Sequence, residues 1–170
     1  MNDQELWARI RGGDASAFDS FYRENAPRVQ AFLQQFLGNP AAAEDVMQET
    51  FAGIWQRPEG FQPERGTLRA YIFGIARKRA AEYWRRQGPS GTSQSQGPVV
   101  SDSGYASLLS DVLARLPDEQ RILLWLREVE GQSYSELAAI LEVPVGTVRS
   151  RLFAARDQLR KLWLGVSANR

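Results

Sequence analysis

Cysteine and histidine are both absent from this chain of 170 residues. Without them the protein has no disulfide, no thiol nucleophile, no thiolate or imidazole metal ligand and no general base of the usual kind at neutral pH. Hydrolases that use Ser-His-Asp or Cys-His chemistry are therefore excluded, and we expect no metal site and no cofactor. Paired carboxylates and phosphate-binding glycine loops are missing as well, so an enzyme is the least favoured class of function.

Long apolar runs are also missing from the sequence. No segment approaches the roughly 20 residues that a membrane-spanning helix requires. Residues 1–14 lack the positive region and the apolar stretch of a secretory signal. Hydrophobic residues make up 43% and charged residues 24% of the chain, as in folded globular proteins. We therefore expect a soluble, cytoplasmic protein with one large domain or two small ones.

The formal net charge of +1 conceals two acidic blocks that alternate with two basic ones. Residues 1–64 carry five Arg against ten Asp and Glu, and residues 65–87 carry seven basic side chains against one acidic. Residues 88–144 carry three Arg against eight acids, and residues 145–170 carry six basic side chains against one acid. A basic stripe can be a solvated helix face, but two such stripes favour nucleic-acid binding. The acidic blocks would repel DNA, so they are expected to face another partner.

A compositional break divides the chain. Residues 88–98 have no apolar side chain and are rich in Gly, Ser, Gln and Pro, which is typical of a flexible linker. We place the linker at 88–104, between an N-terminal domain at 1–87 and a C-terminal domain at 105–170. Apolar residues recur at helical spacing in both parts and strand signals are scarce, so the predicted fold class is all-α, with two small helical domains.

Helix boundaries follow from local end signals. Asp14 is a predicted N-cap, and Pro27 is expected to kink or divide the helix that follows it. Gly38 ends that segment, and Asn39 with Pro40 starts another that runs to about Trp55. The other predicted helices are the basic helix Thr67–Arg86, after the loop Pro58–Gly66, and then Tyr105–Arg115, Pro117–Glu130, Ser133–Leu141 and Val145–Trp163.

The last two of these helices have the spacing of a helix-turn-helix. Ser133 and Glu136 form a predicted capping box, and a tight turn at residues 142–144 leads into the final helix. In this arrangement the second helix is expected to read the major groove. Its predicted apolar face consists of Val145, Val148, Leu152, Ala155, Leu159 and Leu162.

The opposite side of the final helix carries side chains suited to reading DNA. Arginine pairs with guanine through two hydrogen bonds, serine bonds a base edge or phosphate, and an exposed phenylalanine packs on a thymine methyl. The alternative is an ordinary amphipathic helix with a solvated Arg face, which Phe153 argues against because a large exposed aromatic ring favours a partner. The candidate DNA-reading residues are Thr147, Arg149, Ser150, Arg151, Phe153 and Arg156.

The sequence resembles the extracytoplasmic-function (ECF) sigma factors of bacteria, group 4 of the sigma-70 family. The segments that resemble region 4 of this family are Leu116–Arg121, Gly131–Ala138 and Val145–Leu152. Those similar to region 2 are Ala43–Phe51 with Ile54-Trp55, Phe61–Pro63, and Ala70–Arg77 continuing to Arg86. The likeness covers about Asp3–Gln87 and Tyr105–Leu162, and leaves out the linker.

The resemblance implies an initiation factor that directs RNA polymerase core to promoters. Region 2 would bind the core and recognise and open the −10 element, and region 4 would read the −35 element. The implied contacts with the polymerase are Asp45, Gln48, Glu49, Thr50 and Trp55, with a solvated helix face as the alternative. The implied −10 contacts are Phe61, Arg69, Tyr71, Arg77, Lys78, Arg79, Arg85 and Arg86. Phe61 is the best candidate for a pocket that captures a flipped base.

The implied partners are RNA polymerase core, through its β and β′ subunits, promoter DNA, and an anti-sigma factor that is often membrane-tethered. No small-molecule substrate is implied. Lys78 stands where relatives commonly carry an amide, and Ala154 stands where many are basic, so the promoter sequence cannot be copied from a relative. Two alternatives stay open: a stand-alone helix-turn-helix regulator that binds as a dimer, and an interaction-only decoy that ties up an inhibitor.

Overall fold

A computed structural model describes residues 1–87, 108 and 111–168 of the chain, apart from the side chain of residue 167. The chain divides into two compact units, Met1–Ser93 and Gln94–Arg170. Regular structure in the described residues is helical, with α-, 3-10 and π-helix and no strand, so the all-α fold class is confirmed. The predicted linker lies outside the described residues, and the predicted domain boundaries stay a prediction.

The first unit is a bundle built around α2. Its helices are α1 (Asp3–Arg11), α2 (Ala15–Leu37), α3 (Pro40–Gln56) and α4 (Leu68–Gln87), with 3-10 turns at Pro58–Gly60 and Pro63–Arg65. α2 packs on α3 and α4, and α1 packs on α2 and on the first 3-10 turn. The largest fully buried side chains of this unit are Phe21, Phe32, Phe51, Phe73, Ile10, Leu33, Ile54, Leu68 and Ile72.

The end signals of α2 and α3 act as the sequence predicts. The Asp14 carboxylate accepts hydrogen bonds from the amides of Ser16 and Ala17, at 3.0 and 3.1 Å. Gly38 closes α2 in the left-handed conformation, with φ of 62°. The Asn39 side chain then caps α3, in which Pro40 takes the first position. These three predictions are confirmed, because each depends on a few neighbouring residues.

α2 runs unbroken through Pro27, so of the two predicted effects of this proline, a kink or a division of the helix, the division is wrong. A proline inside a helix costs roughly 3 kcal/mol through the lost hydrogen bond and the ring clash. Val29, Phe32 and Leu33, which follow it, have no exposed surface. Burial of each such side chain contributes about 1.5–3 kcal/mol, so together they outweigh the proline.

The second unit packs two short helical segments on one long helix. Its elements are a helical stretch at residues 111–114, α5 (Asp118–Leu124) with a π-helical turn at Trp125–Val129, α6 (Tyr134–Leu141) and α7 (Val145–Ala168). α5 and α6 both pack on α7. Residues 105–107, 109 and 110 of the predicted helix at 105–115 lie outside the described residues. Buried side chains between the elements include Leu116, Ile122, Leu123, Leu126, Leu137, Ile140, Val148, Leu152 and Ala155.

The turn between α6 and α7 is that of a helix-turn-helix. The Ser133 hydroxyl caps α6 by accepting a hydrogen bond of 3.0 Å from the Glu136 amide. Glu142 closes α6 in the left-handed conformation, with φ of 56°. α7 begins directly after Pro144 and is therefore the second helix of the motif.

The Asp14 cap leads to a prediction about stability. Hydrogen bonds from the Ala17 amide and the Arg9 guanidinium hold the pKa of Asp14 below its ordinary value of 3.8. This stabilisation is complete above pH 3.8 and is lost as the pH falls through the lowered pKa. We expect Asp14→Ala to lower the melting temperature by a few degrees at neutral pH, and the difference from wild type to shrink in acid. Thermal melts followed by circular dichroism test this, with Asp19→Ala as a control on the same helix; an equal difference at both pH values would contradict it.

Candidate nucleic-acid and partner interfaces

One face of α3 is acidic and open to solvent. Asp45, Gln48 and Glu49 are exposed there, and Trp55 at the end of the helix is 40% exposed. The Gln48 amide donates to the Tyr22 hydroxyl at 3.2 Å. The Trp55 ring packs against Phe18, with 4.9 Å between their centroids. An acidic face with an exposed aromatic edge suits a protein partner rather than the phosphates of DNA.

Thr50, which the sequence prediction groups with these residues, is buried and is not part of this exposed face. The side chain has no exposed surface, and its hydroxyl donates to the Val46 carbonyl at 2.7 Å. Val46, Thr50 and Ile54 are spaced four residues apart, so they share the side of α3 that faces the core. Helical spacing already marks Thr50 as a core position, and that signal outweighs its polarity.

The outward side of α4 is basic. Lys78, Arg85 and Arg86 are exposed, and Arg69 and Arg77 are half-buried. Lys78 and Arg85 lie two helical turns apart on the same side. Their contact with a DNA backbone stays a prediction, and their exposure is compatible with it.

Arg79 lies apart from these cations because it extends across α3. Its guanidinium occupies the space beside Gly53 that a Cβ atom would fill. One of its nitrogens is 4.0 Å from a carboxylate oxygen of Glu49, and its side chain is 34% exposed. Arg79 therefore belongs to the contact between α3 and α4, whereas the sequence prediction grouped it with the DNA-facing residues of α4.

Phe61 is buried, although it lies in the loop between α3 and α4. Only 7% of its surface is exposed, and its ring is 5.4 Å from that of Trp7 and 5.6 Å from that of Tyr71. The Tyr71 hydroxyl fills the space beside Gly60, and burial together with nearby Glu59 raises the pKa of Tyr71. In this structure Phe61 anchors the loop from within and offers no open ring face to a base. The sequence prediction missed Trp7, although Trp7 and Ile10 have the spacing of an apolar helix face.

The face of α7 that the sequence predicts to read DNA is exposed. Arg149, Ser150, Arg151 and Arg156 are open to solvent, and Thr147 is half-buried. Phe153 is 76% exposed and is a prominent apolar side chain on this face. The Ser150 hydroxyl donates to the backbone at Thr147, 3.1 Å away, which leaves its oxygen able to accept. Val145, expected on the buried face, is 36% exposed because it stands at the very start of the helix.

Residues outside α7 orient two of these arginines, and sequence reasoning missed them. The centre of the Tyr134 ring is 4.9 Å from the guanidinium carbon of Arg127 and 5.9 Å from that of Arg149. Arg156 forms an ion pair of 2.7 Å with Glu128. Hydrogen bonds to Glu128 and Tyr134 raise the pKa of Arg156. Two of the cations on this face, Arg149 and Arg156, therefore have side-chain contacts outside α7.

The Glu128–Arg156 pair leads to a prediction about DNA affinity. Glu128→Gln removes a negative charge beside the basic face and frees Arg156 for phosphate. We expect DNA binding to become several-fold tighter, and the slope of log affinity against log salt to steepen by about one. Fluorescence anisotropy with a duplex at several salt concentrations measures both quantities. Glu119→Gln is the matched control in the same unit, and equal slopes for the two variants would contradict the assignment.

The described residues contain no group of three or more Asp or Glu side chains that could hold a metal ion. None of their helices combines the length and the apolar character that crossing a membrane requires.

Both units match known protein families. Residues 21–89 match the family model described as Sigma-70 region 2, and residues 107–159 match Sigma-70, region 4. The ECF RNA polymerase sigma factor RpoE of Cereibacter sphaeroides is 31% identical, over 87% of this chain and 87% of its own length. SigE of Mycolicibacterium smegmatis is 33% identical over 87% of this chain, which spans 63% of that relative.

A solved structure has the same fold. The sigma factor RpoE of Bartonella quintana, crystallised in complex with the anti-sigma factor NepR, superposes with a TM-score of 0.73 at 25% identity. The superposition covers 85% of this chain and 95% of that one.

Proposed function

The chain belongs to the ECF RNA polymerase sigma factors, and we propose that its two units divide promoter recognition between them. As a sigma factor it binds RNA polymerase core and directs it to specific promoters. In our proposal residues 1–87 bind the core and open the −10 element, and residues 105–170 read the −35 element. Residues 88–104 connect them, and tethering two modest interactions raises overall avidity without new contacts.

The observation that carries this proposal is a pair of exposed faces with opposite charge, one in each unit. The α3 face of Asp45, Gln48, Glu49 and Trp55 is acidic, and we propose that it docks on the polymerase. The α7 face is basic and carries a bare aromatic ring. A stand-alone DNA-binding regulator would have no use for the first face.

For the −35 element we propose that Arg149, Ser150 and Phe153 contact bases. Arg149 is exposed and supported by Tyr134, so it can present its two parallel donors to a guanine. Phe153 can pack on a thymine methyl, and the Ser150 oxygen can accept from a base amino group. Thr147, Arg151 and Arg156 lie at the edges of this face, where we propose that they contact phosphates of the DNA backbone.

For the −10 element we propose that α4 supplies backbone contacts and the preceding loop supplies base contacts. The Lys78 ammonium is a point charge suited to a phosphate, whereas an amide at this position would suit a base. Arg85 and Arg86 extend the positive track along the helix, and Arg69 and Arg77 border it. A separated strand needs such a track together with groups that hold unstacked bases.

We also propose that an anti-sigma factor controls the protein, as the relative's complex with NepR suggests. To silence the chain, such a partner has to cover at least one of the two exposed faces. The protein carries out no chemistry of its own in this proposal, and it acts in the cytoplasm, where the polymerase works. The chain lacks Cys and His, so any redox or zinc sensing belongs to the partner.

Reconstitution tests the proposal. The purified chain is mixed with RNA polymerase core, separated by size-exclusion chromatography, and used to capture genomic fragments from the host. We expect co-elution with core and core-dependent retention of a small set of fragments. Tight DNA binding without core would instead support the stand-alone regulator, and core binding without retention of any fragment would support the decoy.

A further inference from the structure

Helix α1 has no part in the proposed contacts, yet it touches the loop at 57–67 that precedes the DNA-facing helix α4. The Trp7 ring, 4% exposed, packs edge-on against Phe61 in the middle of this loop. The Asp3 carboxylate accepts a hydrogen bond of 2.8 Å from the Leu68 amide, where the loop ends and α4 begins. One helix therefore holds the loop at two points.

The loop depends on such outside contacts for its shape. It contains two 3-10 turns of three residues each, Pro58–Gly60 and Pro63–Arg65, which supply few backbone hydrogen bonds of their own. Between them Phe61 and Gln62 are extended, with φ and ψ of −75° and 131° and of −123° and 105°. The side chain that fixes this stretch is that of Phe61, which lies between Trp7 and Tyr71.

Anchoring Phe61 also decides the direction of its neighbour. Successive side chains on an extended backbone point to opposite sides. With Phe61 turned inward, Gln62 is turned outward, and it is exposed. Its carboxamide has a donor and an acceptor in one plane, the combination that matches the edge of a base.

We propose that Trp7 and Asp3 are positioning residues for −10 recognition, which hold the 57–67 loop so that the Gln62 carboxamide meets a base of the opened −10 element. The proposal rests on the proposed function, because it takes this loop as the part that reads the −10 element. It adds a base-reading residue, Gln62, and a role for α1. It also explains why an aromatic residue of the loop is buried rather than open.

The test uses holoenzyme on a promoter that the wild type opens, with the −10 element randomised and the −35 element fixed. Sequencing of the opened complexes gives the preference for each base at each position. We expect Gln62→Ala to lower the preference at one −10 position by about fivefold or more. Trp7→Leu should lower the base preference at the same position. The double variant, Trp7→Leu with Gln62→Ala, should reduce that preference by no more than the single variant with the larger effect.

Two further variants separate positioning from folding. Trp7→Phe keeps an aromatic ring against Phe61 and should retain the preference within about twofold. Phe36→Leu removes a buried ring elsewhere in the same unit and should change no base preference. If the Trp7→Leu variant fails to bind core, the Asp3→Ala variant tests the positioning role in its place. Asp3 is exposed, so its replacement should leave the bundle folded.

The outcomes separate this proposal from the one on which it rests. A wild-type chain that opens no promoter overturns the proposed function, and this proposal with it. If the wild type is selective and Gln62→Ala leaves every preference unchanged, only the present proposal is overturned. The same holds if Trp7→Leu and Asp3→Ala reduce opening uniformly at all bases, because that is the behaviour of residues that support folding alone.

Discussion

Reversing the charge of Asp45 is expected to weaken binding to RNA polymerase core by about 30-fold or more, which corresponds to about 2 kcal/mol. Asp45 is exposed on the acidic face of α3, next to Gln48 and Glu49. If this face meets a complementary surface, Asp45→Arg brings like charges together, and such a juxtaposition costs several kcal/mol. The fold should be little affected, since substitutions at the surface usually change stability by less than about 0.5 kcal/mol.

The measurement is a titration of labelled core with each variant at fixed ionic strength, together with thermal melts. Glu24→Arg is the matched control, because Glu24 is exposed on α2 and undergoes the same change of charge. Asp45→Asn should fall between wild type and Asp45→Arg. Equal affinities for Asp45→Arg and Glu24→Arg would show that the α3 face does not dock on the polymerase.

Replacing Arg149 by alanine is expected to lower promoter opening by about 10- to 100-fold, since a bidentate arginine–guanine pair is worth about 1–3 kcal/mol of discrimination. Core binding should be unchanged, because Arg149 lies in the second unit. The loss should be specific to one position: the preference for one base at a single −35 position should disappear. Loss of a phosphate contact would instead reduce opening equally at all promoter sequences. A set of promoters that differ singly within the −35 element measures this.

Arg160→Ala is the control for Arg149. Arg160 lies eleven residues further along α7, where its guanidinium bonds to Asp157 at 3.0 Å. It also lies just beyond the region 4 match, which ends at residue 159. We expect its replacement to change opening by no more than about twofold. An Arg149→Ala variant with the wild-type base preference would refute the proposed reading role.

The parts of the structure that the sequence predicts well are those decided locally. Capping residues such as Asp14, Gly38 and Asn39 act on backbone groups within three or four residues. Their effect can therefore be predicted from the residues next to them in the sequence. The exposed basic face of α7 is equally accessible to sequence reasoning. Its apolar residues recur at helical spacing, and the opposite side has to be exposed.

The errors arise where distant segments meet. Phe61 looks exposed because it lies in a loop, but Trp7, 54 residues earlier, covers it. The sequence prediction groups Arg79 with the other cations of α4. Its guanidinium instead packs on α3 beside Gly53, where the absence of a side chain leaves room for it. Glu128, in the π-helical turn before α6, pairs with Arg156 of α7. None of these contacts has a local pattern, since each depends on how the helices pack.

The most direct test of the central claim is promoter opening measured at the level of single bases. Permanganate modification of unpaired thymines is followed on a captured fragment with core alone, with the chain alone, and with both together. We predict reactivity in the −10 element only when core and chain are both present. Reactivity with core alone, or a fragment bound tightly by the chain and never opened, would contradict the assignment of this protein as a promoter-opening sigma factor.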